Sequence, residues 1–220
     1  MSEREIHTFT NRHEAGLILG EMVAKLSDIS DGVVLGLVRG GVPVAFELAN
    51  ACSLPLDVLV VRKLGVPWQP ELAMGAIASG ESIVLNEDVL RQCRVSGPQL
   101  DQVIQQERSE MHRREALYRQ GNPAVPIEGR AVILVDDGLA TGATMRVAIR
   151  AVRPNARRVI VAVPVGAKST CEELKSMADH IVCTLMPEPL EAVSQFYREF
   201  EATSDEEVVA LLRLSAGRSH

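Results

Sequence analysis

VILVDDGLATGATM, residues 132 to 145, carries four apolar residues into two adjacent acids and then into a loop of glycine, threonine and small residues that holds no lysine. An unbroken apolar run rich in Val and Ile reads as a strand buried on both faces, the mark of a parallel sheet covered by helices. The strand is expected over 131–135, and a helix over Thr144 to Val152, ended by Pro154. Strand, short loop and helix together make one βα unit.

Working outward, similar short runs occur at Val33-Val34-Leu35, Val58 to Val61, Val159 to Val163 and Ile181-Val182-Cys183, with helix-like segments between them. The expected fold class is therefore α/β: a Rossmann-like, mainly parallel sheet flanked by helices. Asn11, with Glu14 three residues on, resembles a capping box ahead of Ala15, Ile18, Leu19, Met22, Val23 and Leu26 on one helical face. Pro43 opens a helix over Val44 to Ala51. Pro98 to Gln120 is the longest helical candidate and is read as mainly solvated, with Glu110/Arg114 and Glu115/Arg119 at supporting four-residue spacing. Residues 64–82, LGVPWQPELAMGAIASGES, are read as a long loop because Gly65, Pro67, Pro70, Gly75 and Gly80 forbid a regular helix.

Composition narrows the function. The chain has 220 residues, of which 46% are hydrophobic and 24% charged, as in a water-soluble globular domain. A net charge of −6, no long basic run and 3% aromatic residues argue against a nucleic-acid partner. Cys52, Cys93, Cys171 and Cys183 are scattered, which suits reduced packing thiols. The polar N-terminus MSEREIHTFTNRHEAG does not read as a secretory signal, and no apolar run approaches the roughly 18 residues of a membrane span. A cytoplasmic protein without a membrane partner is expected.

The chemistry sits at the end of the 131–135 strand, because open parallel sheets bind ligands outside the carboxyl ends of their strands. The loop Gly138-Leu139-Ala140-Thr141-Gly142-Ala143-Thr144 leads into a helix whose first amides lack internal partners and carry partial positive charge. A phosphate fits there, with the Thr141 and Thr144 hydroxyls as further donors. The missing lysine excludes a Walker A loop, and the spacing is not that of a dinucleotide fingerprint. Asp136 and Asp137, as paired charged acceptors, suit vicinal hydroxyls beside that phosphate. A ribose 5-phosphate combines the two features; the plainer alternative is that the acids merely cap the next helix.

VILVDDGLATGAT resembles the phosphoribosyl pyrophosphate (PRPP) signature of the type I phosphoribosyltransferases, and the resemblance covers roughly residues 31–200. The chain is particularly similar to a bacterial branch carrying an RGG turn, here Arg39-Gly40-Gly41, and an R-K-x-G-x-P segment, here beginning at Arg62-Lys63. The resemblance implies that Asp136 and Asp137 hold the ribose hydroxyls while Gly138, Leu139, Ala140, Thr141, Gly142, Ala143 and Thr144 cradle the 5-phosphate. It implies that Arg39, Gly40 and Gly41 form the pyrophosphate loop after the first strand, and that Arg62 and Lys63, ending the second strand, are cationic pyrophosphate contacts. Residues 64–82 correspond to the mobile flap. One domain over 1–220 is expected, with a core of about 31–185 and a small hood from 1–30 and 186–220.

The implied reaction transfers ribose 5-phosphate from PRPP to a nitrogenous, nucleobase-like acceptor with release of pyrophosphate. Mg2+ is the implied cofactor, with no residue assigned as its direct ligand, and a homodimer is a family expectation. Hypoxanthine-guanine enzymes carry an Asp where this chain has Ala140, whereas adenine enzymes share L-A-T-G and place a Glu in the flap. Glu71 is the nearest match and is the candidate acid/base. Leu185-Met186-Pro187, Leu190 and Lys168 do not reproduce the purine-salvage base pocket, and Phe196 and Tyr197 are read as core rather than cap. The alternative function is a regulator that senses PRPP or a nucleotide without turning it over.

Overall fold

A computed structural model describes residues 8–217. Five strands form an all-parallel sheet: β1 (Val33–Leu37), β2 (Leu56–Leu59), β6 (Ala131–Val135), β7 (Arg158–Val165) and β8 (His180–Leu185), in the order β2-β1-β6-β7-β8. Side chains alternate across each strand, and both faces are covered. Val34, Ile133 and Ile160 join a core with Leu19 of α1 (Arg12–Val23) and Leu48 of α2 (Gly41–Cys52). Leu35, Leu134 and Val161 join a second core with Ile149 of α5 (Ala143–Val152) and Leu174 of α6 (Lys168–Leu174). Two buried faces explain why these strands read as continuous apolar runs rather than as alternating ones.

The strand order reverses between β1 and β6. Such a switch point opens a crevice at the strands' carboxyl ends. The 39–41 turn after β1 and the 136–142 loop after β6 both emerge there.

Two sequence expectations need correction. The second strand does not run from Val58 through Arg62-Lys63: β2 ends at Leu59, and β3 (Val61–Val66) starts a separate sheet that contains both cations. Nor is 64–82 a structureless loop. It forms most of a three-stranded antiparallel sheet with β4 (Gln69–Ala78) and β5 (Ser82–Leu85). Gly65, which suggested a breaker, sits at a register shift where an added Cβ would come within 2.5 Å of the Pro70 carbonyl oxygen. Pro70 lies in the part of β4 that β5 does not reach. Trp68, in the β3–β4 turn, is 55% exposed.

The hairpin sheet is supported from behind by α4 (Gly97–Arg119), which follows the short α3 (Glu87–Cys93). Leu64, Met74 and Ile77 share a core with Met111 of α4, and only Met111 and Tyr118 of this helix are buried, in keeping with its sparse stripe. Both expected helix-face pairs form, at 2.9 Å for Arg114–Glu110 and 3.3 Å for Arg119–Glu115. Arg119 also reaches back to the buried Asp57 of β2 at 3.0 Å.

Residues 9–12 and 196–201 meet beside the crevice. Asn11 caps α1 through the Glu14 amide at 3.1 Å, while the Glu14 carboxylate accepts from the Thr10 amide. Phe9 pairs with the segment around Tyr197, the Phe9 amide donating to the Phe196 carbonyl at 2.8 Å and the Arg198 amide to the Phe9 carbonyl at 2.9 Å. Residues 196–200 lead into α7 (Asp205–Ala216). The expected hood segments extend over 1–7 and 218–220, which lie outside the described residues.

Candidate functional site

The loop after β6 is held in shape by its surroundings rather than by its own side chains. The Leu139 amide donates to the Val165 carbonyl at 2.9 Å, and its carbonyl accepts from the Ala167 amide at 2.8 Å. Leu139 is thus buried and tied to the end of β7, so its amide lies outside the set left for an anion. Thr170 Oγ1 donates to the Ala140 carbonyl at 2.7 Å, and Arg146 Nη1 donates to the Thr141 carbonyl at 2.6 Å. With the carbonyls fixed outward, the amides of Thr141, Gly142, Ala143 and Thr144 have no hydrogen-bond partner among the described residues. Gly142, the N-cap of α5, has φ +71°, a conformation that glycine adopts without strain. Asp136, Gly138 and Thr141 to Thr144 line a cleft of about 150 Å3, closed on one side by Val193.

The two acids are not equivalent. The Asp136 Oδ1 accepts the Asp137 amide at 2.9 Å, and this half-buried carboxyl is pushed well above the usual carboxylate range, first by burial and then by the Asp137 charge. Asp137 is held from three directions. Nε and Nη2 of Arg12 both reach its Oδ2 at 2.8 Å, and the Tyr197 hydroxyl donates to its carbonyl at 2.6 Å. The third neighbour is Gly40, where an added Cβ would stand 2.1 Å from Oδ2. An added Cβ at Gly41 would stand 2.5 Å from the Val135 carbonyl oxygen. The small turn after β1 thereby lets the acids and the 39–41 backbone share one crevice. The Val38–Arg39 peptide in this turn is cis.

The cations stand further out. Arg39 lies 3.8 Å from Asp205 of α7, whose Oδ1 also accepts from the Tyr118 hydroxyl at 2.7 Å. Burial and the Asp205 bond push that phenol up to about 12. Arg62 points to α4 and pairs with Glu107 at 2.7 Å. Lys63 pairs with Glu71 at 3.3 Å, and the Glu71 side chain is 94% exposed. Lys63 also lines a cleft of about 620 Å3 between the hairpin sheet and α5, shared with Ala143, Thr144, Arg146 and Arg150. The structure thus brings together Asp136, Asp137, Gly40, Gly41 and the 138–144 loop. It leaves Arg62 and Glu71 paired away from them.

Among the described residues no group of three acids, histidines or cysteines is placed to hold a metal by itself. Two adjacent carboxylates still suit Mg2+, which keeps several waters and is usually bound by one or two carboxylates together with substrate phosphates.

Sequence reasoning missed Arg12 and Phe200 and favoured the core over a cap for Tyr197. Arg12 Nη1 donates to the Glu201 carbonyl at 2.6 Å, and its guanidinium carbon lies 3.9 Å from the Phe200 ring centroid. A signal was available: Arg12 is the first residue of α1, where a cation opposes the helix dipole. A charge in such a position needs another reason to be there, and Asp137 is that reason. Tyr197 is both buried and site-directed, with its phenol pushed upward by burial and then by the Asp137 charge.

The sequence pattern of the phosphoribosyl transferase domain matches residues 9–198. Proteins named as putative phosphoribosyl transferases in two strains of Mycobacterium tuberculosis are each 47% identical over 205 residues, covering 93% of this chain and 46% of theirs. The chain therefore spans about half the length of the curated relatives it matches. TT1426 of Thermus thermophilus, of known crystal structure, is similar at 40% identity with a TM-score of 0.81, covering 93% of this chain and 97% of its own. Among the described residues, no helix is long and apolar enough to cross a membrane.

Proposed function

The chain belongs to the phosphoribosyl transferase domain family, with the type I PRPP-binding α/β core, and from that premise we propose that it transfers ribose 5-phosphate from PRPP to a nitrogenous, nucleobase-like acceptor. The observation that carries this reading is the meeting, at the β1/β6 switch point, of two acids with a row of unpartnered amides. The amides of Thr141 to Thr144 receive the 5-phosphate, and Asp136 and Asp137 receive the sugar hydroxyls. The 39–41 turn lies against both acids, and its backbone, with Arg39, receives the departing pyrophosphate in this reading.

The acceptor nitrogen attacks the anomeric carbon as the bond to the pyrophosphate oxygen breaks, and the acceptor's proton passes to a base. Charge that develops on pyrophosphate is met by Arg39 and, once released from their acids, by Arg62 and Lys63. Bound Mg2+ would help to neutralise the diphosphate, and Asp136 and Asp137 are the carboxylates that would hold it. Glu71 reaches the acceptor only if the hairpin carries it inward, and it is the acid/base of this scheme on those terms. The hairpin sheet, as flap, excludes water that would otherwise hydrolyse PRPP.

One observation favours a second reading. Arg39, Arg62 and Lys63 each already face an acid, which suits a protein that binds the ribose phosphate without expelling pyrophosphate. Pyrophosphate release from PRPP and Mg2+ across a panel of purine and pyrimidine bases separates the two. Turnover with any base supports the transferase. Tight PRPP binding without turnover for every base replaces it with a PRPP sensor, and no PRPP binding at all removes both.

A further inference from the structure

We propose that Arg12 is a positioning residue for Asp137, and that through it the start of α1 and the 197–201 segment set the grip on the sugar diol; this rests on the ribose-phosphate reading given above. Arg12 is 11% exposed along its side chain. Two of its nitrogens close on one oxygen, Oδ2, so the fork fixes the carboxylate's rotation and leaves Oδ1 free of the guanidinium. The third nitrogen is fastened to the Glu201 carbonyl, and the flat face rests on the Phe200 ring. The Tyr197 hydroxyl fixes the backbone of the same aspartate. None of these partners comes from the phosphate loop.

The arrangement divides the crevice in two. The phosphate half is built of amides local to 141–144. The sugar half depends on an arginine 125 positions away in sequence. Lysine cannot reproduce it, since a single ammonium supplies neither the fork nor the flat stacking face. Asp136, whose Oδ1 is already bonded to the Asp137 amide, moves with its neighbour, so loosening Arg12 loosens both acids.

The test compares binding of ribose 5-phosphate and 2-deoxyribose 5-phosphate by calorimetry on the full chain. The two ligands share the phosphate and differ in one hydroxyl. Wild type should prefer the ribose form. Arg12→Met should lose that preference, weakening ribose 5-phosphate roughly tenfold while leaving the deoxy ligand within about twofold. Arg12→Lys, which keeps the charge and stem, should lose it as well and serves where the methionine variant does not fold. In an Asp137→Asn background, Arg12→Met should add no further loss, because its effect runs through that carboxylate. A preference retained in the folded variants, or tighter ribose binding, overturns the positioning role and leaves the proposed function standing. Wild type that binds neither ligand overturns the proposed function and this inference with it.

Discussion

Along 141–144 the groups left for a ligand are main-chain amides, oriented by bonds from Thr170 and Arg146 to the neighbouring carbonyls. On the hairpin sheet the expected contacts are long side chains that already hold acids, Arg62 on Glu107 and Lys63 on Glu71. The amides need no rearrangement to meet an anion, because the fold fixes their dipoles in advance. The side chains must first exchange partners. On the proposed function, ligand affinity would belong mainly to the loop and its acids, and the hairpin's contribution would come with movement.

The largest expected effect falls on the acid at the centre of the fixed half. Asp137→Asn should weaken PRPP binding by about 100-fold, as loss of a charged hydrogen-bond acceptor does, with the fold retained in circular dichroism. A variant that unfolds instead supports a capping role for Asp137 and breaks the comparison at its root. Next comes the loop backbone. Gly142→Ala places a side chain at φ +71° and 2.6 Å from the Thr170 methyl group, which costs about 1–2 kcal/mol from the backbone alone. The melting temperature should fall by several degrees, roughly 2–4 °C per kcal/mol for a chain of this size, together with phosphate affinity. Unchanged phosphate affinity separates the loop's shape from its function.

Asp136 gives a smaller effect of opposite sign. Its carboxyl is raised from 3.8 in the folded state, so the stability it contributes is complete below that value and is lost as pH rises through the folded pKa. Asp136→Asn removes this loss. The variant should match wild type in melting temperature at pH well below 3.8 and exceed it near pH 7, while using PRPP less well. A variant less stable than wild type at pH 7 contradicts the burial argument. The smallest effect is on the hairpin: Glu107→Gln frees Arg62 from a partly buried pair and should raise pyrophosphate affinity about two- to threefold. A fall in affinity means that Glu107 holds Arg62 in its working position, and the hairpin is then as prearranged as the loop.

The hairpin also shows where sequence reading failed. Gly65 and Pro70 look like breakers, yet Gly65 allows two backbones to approach, and Pro70 sits where no β5 strand needs its missing N–H. Breaker residues report on local helix propensity. A strand still accommodates them where a register shift or an unpaired stretch takes the missing side chain or N–H.

The sequence by itself determined the parallel strands, the βα unit at 131–152 and the candidate anion loop, because each depends on neighbours within a few residues and on a fixed period of burial. Only the tertiary structure decided that Leu139 faces β7, that Arg62 turns to α4 and that Arg12 and Tyr197 converge on Asp137. Those contacts join segments far apart in the chain, and a single polar side chain leaves no periodic trace of the partner that folding brings to it.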